Sequence, residues 1–341
     1  MSYTNGLDDP TIFFNTLLYT GNATNRSITG LGFQPDWCWL KSRSSNNHEL
    51  FDSVRGATKR LYADVTNAED TGSTTLTSFD SDGFSLGTGN PNNNGQNYVS
   101  WNWKAGGSAS SNSNGDITSS VSANTTAGFS IVKWTGDNSS TATIGHGLGA
   151  TPSIVIVKRI DAVDNWYVYS KPVGNTSVLN LDTNSATAAS INYWNNTDPT
   201  TTVFTVGDSF RTTGSFIAYC FAEKQGYSKF GSYVGNGNAD GTFVYTGFKP
   251  AWVMVKSSTS TEHWLMYDNK RKVFNANDEV IYANLSNAED TNSGLQIDLL
   301  SNGFKLRGAS ANLNNSGQTF IFMAFAESPF VNSNDAPSNA E

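Results

Sequence analysis

The stretch Gly32-Phe33-Gln34-Pro35-Asp36-Trp37-Cys38-Trp39-Leu40-Lys41 occurs in three forms along the chain. The other two are Gly149-Ala150-Thr151-Pro152-Ser153-Ile154-Val155-Ile156-Val157-Lys158 and Gly247-Phe248-Lys249-Pro250-Ala251-Trp252-Val253-Met254-Val255-Lys256. Each reads Gly-x-x-Pro-x, four mostly apolar residues, then Lys. The Pro suits a strand's first position, where its missing N–H costs nothing, and the apolar run has the length of a buried strand. The Lys is expected where the strand surfaces. Trp37 and Trp39 are answered by Ile154 and Ile156 and by Trp252 and Met254, so what recurs is apolarity, and the phrase is expected to be a core strand used once per unit.

Other segments extend the repeat. Asn67-Ala68-Glu69-Asp70-Thr71 returns as Asn287-Ala288-Glu289-Asp290-Thr291, and Ser81-Asp82-Gly83-Phe84-Ser85-Leu86 as Ser301-Asn302-Gly303-Phe304-Lys305-Leu306, both 220 residues on. Pro35 to Pro250 is a shift of 215, and Asn93-Asn94-Gly95-Gln96 answers Asn315-Ser316-Gly317-Gln318 at 222. The shift only grows, so insertions fall in turns and strand order is kept. The sequence therefore predicts an all-β chain of three tandem related β-sandwich (jelly-roll-like) units with very little helix. Residues 1–11 read as a lead-in, 12–107 as the first unit, 108–126 as a Gly/Ser/Asn linker, 127–225 as a diverged second unit, 226–327 as the third, and 328–341 as a polar tail. The only helical signal is a capping-box spacing at Thr66-x-x-Glu69 and Ser286-x-x-Glu289, which predicts one turn.

Composition narrows the function. Charged residues are 15% and aromatics 12% of the 341 residues, a profile of many short strands joined by polar turns. A net charge of −8 without a run of Lys or Arg argues against nucleic acid. No stretch approaches 18 apolar residues, so no helical membrane insertion is expected, and the first nine residues lack the plan of a secretory signal. Cys38 and Cys220 each sit in an apolar run and read as buried free thiols.

No catalytic constellation stands out, so no enzyme activity is expected. His48 and His263 lie upstream of Asp52 and Asp268, each followed by Arg55 or Arg271, but Ser and Thr are too common for a nearby nucleophile to mean anything. Asp-x-x-Arg reads better as a structural salt bridge pinning a turn. Glu69-Asp70 and Glu289-Asp290 are adjacent in sequence, and a glycosidase needs its carboxylates opposed across a cleft. Asp80-Ser81-Asp82-Gly83 resembles the start of a calcium loop but lacks the distal Glu. No Cys/His cluster has zinc spacing, and no cofactor or metal is expected. Aromatics beside polar turns are the candidates for ligand contact: Trp166, Tyr167, Tyr193, Trp194 and Trp264, which could stack on sugars or simply pack in the core.

The segments Tyr19-Thr20-Gly21-Asn22, Ile28-Thr29-Gly30-Leu31-Gly32-Phe33-Gln34-Pro35-Asp36-Trp37, Phe51-Asp52-Ser53-Val54-Arg55-Gly56, Phe79-Asp80-Ser81-Asp82-Gly83-Phe84 and Trp101-Asn102-Trp103-Lys104-Ala105-Gly106-Gly107 resemble a domain of virion proteins from tailed phages of marine and other aquatic bacteria. The resemblance is specific over 12–107, partial over 231–326 and weak between. It implies a structural virion component, a tail fibre or receptor-binding protein, whose partners are other virion proteins and a host surface glycan. Such proteins form symmetric oligomers, with a homotrimer the first expectation; three tandem units in one chain could instead form a pseudo-threefold arrangement. The alternatives are a capsid decoration or head-fibre protein and a polysaccharide-acting enzyme.

Overall fold

A computed structural model of the chain describes residues 7–138 and 141–338; the first six residues of the lead-in and the last three of the tail lie outside the described residues. The fold is all-β, and every strand ladder is antiparallel. Helix among the described residues amounts to three four-residue turns (Ile191–Trp194, Asp208–Arg211, Ala311–Asn314) and two 3-10 turns (Pro10–Ile12, Ser293–Leu295).

Three large sheets dominate. The first runs, in spatial order, Phe14–Thr20, Asn97–Trp103, Trp37–Ser42, Glu49–Asp52, Lys59–Tyr62, Asp70–Thr71. The third has the same order: Ser228–Val234, Thr319–Pro329, Phe248–Ser257, Leu265–Asp268, Glu279–Tyr282, Asp290–Thr291. The second follows it too, as Phe129–Thr135, Ser215–Phe221, Ile154–Arg159, Trp166–Ser170, Ser177–Asn180, Ala188–Ala189, with Ser110–Asn112 and Ser119–Asn124 added outside Phe129–Thr135. Each large sheet is covered on one face by a small one: Arg26–Thr29, Gly83–Leu86 and Leu76–Asp80; Ala142–Gly145 and Val203–Val206; Phe243–Tyr245, Gly303–Leu306 and Ile297–Leu300.

The apolar phrases are continuous because their strands are covered twice. Alternate side chains leave a strand on opposite faces. Cys38 and Leu40 face the small sheet of the first sandwich, Val155 and Val157 that of the second, and Val253 and Val255 that of the third. Their neighbours Trp37, Trp39, Ile154, Ile156, Trp252 and Met254 point the other way and meet in one shared core with Phe14, Trp101, Trp103, Phe129, Tyr219, Phe221, Met323 and Phe325. Within it Trp37 stacks on Tyr219 of the second sheet at 4.3 Å, Trp103 meets Trp252 of the third at 5.7 Å, and Phe221 meets Phe325 at 5.7 Å. The three large sheets thus back onto one another around a common aromatic centre. Each such ring removes about 150–250 Å² from water, at about 25 cal/mol per Å², so this centre makes the sandwiches one body.

The recurring Gly-Phe-x-Leu strand shows a backbone requirement. A Cβ on Gly83 would lie 1.9 Å from the Ile28 carbonyl oxygen, and one on Gly303 2.0 Å from that of Val244. Only glycine lets the small-sheet strands approach this closely.

Several expectations need correction. Residues 108–126 are no linker: they supply Ser110–Asn112 and Ser119–Asn124, which lengthen the second sheet through regular pairing. Ser and Asn suffice in the edge strand Ser110–Asn112 because the ladder's backbone bonds carry it, while Ser119–Asn124 is paired on both sides and buries Val121. Thr66–Glu69 and Ser286–Glu289 form no helical turn but run as irregular connectors, because their backbone groups bond to neighbouring sandwiches. Pro35 and Pro152 stand two residues before their strands, and Pro250 lies inside Phe248–Ser257 where the register shifts; the irregularity accommodates a residue without an N–H. Finally, Lys41, Lys158 and Lys256 do not surface. They are 1%, 0% and 0% exposed.

Candidate functional site

Why three strands should end in a buried Lys becomes clear from their partners. Lys41 Nζ donates to the carbonyls of Ser42 at 2.8 Å and of Asn287, in the third sandwich, at 2.8 Å. Lys158 Nζ donates to Thr66 O of the first sandwich at 2.9 Å and to Asp164 O. Lys256 Nζ donates to Ser257 O at 2.6 Å and to Asn184 O of the second sandwich at 3.3 Å. First reaches third, second reaches first, and third reaches second, so the joints close a ring. Burial lowers all three lysines to about 8, since carbonyl dipoles only partly replace water around an ammonium.

The same order governs the connectors. Glu69 N donates to Ile160 O at 2.8 Å, Glu289 N to Arg43 O at 2.9 Å, and Thr187 N to Ser258 O at 3.0 Å. The acceptors stand two residues after each buried Lys. Trp166 faces Lys158 across its ladder, and His48 and Trp264 stand just before the strands that pair with those of Lys41 and Lys256; all three are joint residues. Trp166 Nε1 donates to Tyr62 O of the first sandwich at 2.7 Å and Trp264 Nε1 to Asn180 O of the second at 2.8 Å. His48 takes this place in the first sandwich: Trp39 Nε1 donates to its Nδ1 at 2.8 Å, so the ring proton sits on Nε2 and is donated to Tyr282 O of the third at 2.9 Å. Burial, then the nearby Lys41, drives the His48 pKa well down, and with both nitrogens engaged the ring has no lone pair for base catalysis. The structural counterpart of His48 is Trp264, so the two histidines, though each lies upstream of an Asp, are one residue out of register.

The Asp-x-x-Arg pairs are buried ion pairs. Arg55 Nη2 donates to Leu50 O at 3.0 Å and its Nη1 to Glu69 at 3.2 Å; Arg271 repeats this with Met266 O at 3.0 Å and Glu289 at 2.8 Å. The carboxylates also receive bonds across the ring, Tyr219 OH to Asp52 Oδ2 at 2.8 Å and Trp101 Nε1 to Asp268 Oδ2 at 3.1 Å. Glu289 further holds Arg43 of the first sandwich, at 2.6 Å. These carboxylates are saturated with donors and are joints between sheets. No sequence signal short of pairing residues more than 150 positions apart could have identified them as such.

The five aromatic candidates do not converge. Trp166 and Trp264 are buried at two different joints, 0% and 1% exposed. Trp194 is buried between Tyr169 and Phe210, with ring centroids at 5.7 and 5.4 Å. Tyr167 is buried, its hydroxyl donating to Asp164 Oδ1 at 2.7 Å, and only Tyr193, tilted on it at 4.5 Å, is half-exposed. Four of the five therefore offer no ring face to a sugar. Their places beside polar turns made them read as candidates for ligand contact, whereas the large rings fill space under the turns.

The acidic turn at Asp80–Gly83 is likewise accounted for. Asp82 accepts from the backbone of Gly32 at 2.6 Å and Gly30 at 3.1 Å, while Asp80 accepts from Ser78 at 2.7 Å and Ser85 at 2.6 Å. These donors tie Gly30-Leu31-Gly32 to the small-sheet hairpin. Asp82→Ala is expected to cost about 1 kcal/mol in urea unfolding, while added calcium or a chelator leaves the wild-type midpoint unchanged. A calcium-dependent rise in that midpoint would reinstate a cation site. No group of three or more His, Cys, Asp or Glu residues placed to hold a metal occurs among the described residues, and none of the described helices is long and apolar enough to cross a membrane.

Compared with known proteins, residues 9–329 match the family described as a domain of unknown function (DUF7483). No curated protein and no solved structure matches.

Proposed function

Because the chain belongs to the DUF7483 family, whose description assigns no function, we propose from its own residues that it is a virion component of a tailed phage, a tail-fibre or receptor-binding protein at the particle surface. The observation that carries this reading is the ring of joints. Buried Lys, Arg, Asp and Trp side chains link three sandwiches around one aromatic core, which suits a rigid body that bears load and presents its outer turns. Likeness to phage virion domains over 12–107 supplies the particle context. Closure inside one chain supports the pseudo-threefold arrangement over a trimer of chains.

Antibody labelling of intact particles tests the reading. Label at the tail tip or fibres is the expected result. Label confined to capsids would replace it with the decoration or head-fibre role, and unlabelled particles from a lysate containing the protein would sink the virion assignment.

A further inference from the structure

We infer that the third sandwich carries a carbohydrate-binding platform formed by Phe243 and Tyr245, and that its ligand is a neutral hexopyranose unit of a surface polysaccharide. This rests on the adhesive reading above and gives it a place and a ligand class.

The strand Phe243–Tyr245 is the outer edge of its small sheet. Val244 turns inward to the core, which sends Phe243 and Tyr245 together to the outer face. They are 42% and 55% exposed. The equivalent strands bear no such pair: where Val244 faces Phe304, Ile28 faces Phe84 and Ile144 faces Phe204, so the matching outward positions are Ser27 and Thr29, and Thr143 and Gly145. The two aromatic rings are therefore a feature of one sandwich, added to a scaffold that does not need them.

Their surroundings leave them uncovered. Opposite Tyr245 on the next strand is Gly303, with no side chain to lie over the ring. Phe243 Cε2 comes within 3.2 Å of where a Cβ on Gly303 would be, and the Tyr245 hydroxyl within 3.5 Å of where one on Gly247 would be. An edge of each ring comes close to a glycine, where no side chain competes for the space, and the apolar rings stay open to solvent.

A polar cleft adjoins that surface. Tyr245 shares its lining with Glu223, Gln225, Ser228, Lys229 and Gly247. Glu223 and Lys229 pair at 2.5 Å while each stays more than a third exposed, and Gln225 is exposed. The rim thus offers a carboxylate, an ammonium and an amide, which can accept from and donate to hydroxyls, with no net charge to select an ion. A flat apolar face bordered by hydroxyl-binding groups of both kinds fits a pyranose, whose C–H face is apolar and whose edge is hydroxylated. A protein edge strand would need a longer free strand than these three residues.

Affinity electrophoresis of the full chain through gels containing dextran, galactomannan or a galactan is the test, with saturation-transfer NMR on the methyl glycosides of glucose, galactose and mannose. Retardation by at least one polysaccharide is expected, with transfer to the C–H protons of its sugar. Tyr245→Ala and Phe243→Ala should each weaken binding about tenfold with thermal midpoints kept, since neither side chain is in the core, and Ser27→Ala should bind as wild type. Absence of retardation and of transfer for all of these sugars, or binding that survives both aromatic substitutions, would overturn the platform. That result would leave particle labelling unaffected, so the site and the virion assignment fail separately.

Discussion

Trp37→Ala is expected to destabilise the protein by about 3–5 kcal/mol and to loosen all three sandwiches. The side chain lies in the shared core, stacked on Tyr219 of the second sheet at 4.3 Å and tilted against Trp103 at 4.5 Å, which in turn meets Trp252 of the third. Removing it leaves a cavity where three sheets converge, and surrounding strands pinned by ladders on both sides can collapse only partly. Hydrogen exchange distinguishes this from an ordinary core truncation. Trp37→Ala should raise exchange along Ser215–Phe221 and Thr319–Pro329 as well as Asn97–Trp103. Phe304→Ala, in the core of the third sandwich alone, should lose similar stability with its fastest exchange confined to that sandwich. If the Trp37 variant exchanged faster only within residues 12–107, the shared core would not be coupling the sheets.

The second large effect is a rise in stability from pH 8 to 9. Lys41, Lys158 and Lys256 have an ordinary value of 10.5 and are brought to about 8 in the fold, chiefly by burial. Between those values the unfolded chain holds protons that the native chain has released, so stability increases with pH. Below pH 8 both states are protonated and the native state bears the full cost of three buried ammonium groups. A tenfold difference in proton affinity is worth about 1.4 kcal/mol, and the three lysines, titrating as pH passes through their folded values, should together add about 3 kcal/mol from pH 8 to 9. Above 9 the trend is opposed, because buried Cys38 and Cys220 keep protons that the unfolded thiols lose. Above 10 it reverses, since Tyr19, Tyr219 and Tyr233 are raised by burial too. Urea unfolding across pH 7–11 checks the curve, and Lys256→Met should remove about a third of the rise. A flat or falling limb between 8 and 9 would mean that the ammonium groups are well solvated by their carbonyls.

Much of the fold was legible. The all-β class followed from short apolar runs and frequent turns, and Asp52-x-x-Arg55 and Asp268-x-x-Arg271 read correctly as ion pairs because their partners are three residues apart. Less of the site was. Trp166 and Trp264 read as candidates for ligand contact because polar turns adjoin them, and nothing in the sequence singled out Phe243 and Tyr245. The signal that would have separated them is comparison at equivalent positions: Trp166, Trp264 and His48 stand at or just before the start of the strand that follows each phrase, whereas Phe243 and Tyr245 replace Ser, Thr and Gly.

The recurring phrase marks the division. Sequence alone determined that Trp37–Leu40, Ile154–Val157 and Trp252–Val255 are buried core strands, one in each unit, since an uninterrupted apolar run of this length belongs inside. It could not tell what covers the second face, because periodicity records burial and not the identity of the neighbour. Tertiary structure decided that each sheet backs onto the other two, and with that the fate of the Lys ending each phrase. A lysine after a strand ordinarily reaches solvent; here Asn287, Thr66 and Asn184 bring carbonyls from the adjoining sandwich to its ammonium, and the charge stays inside because those dipoles are held in place by the closed ring.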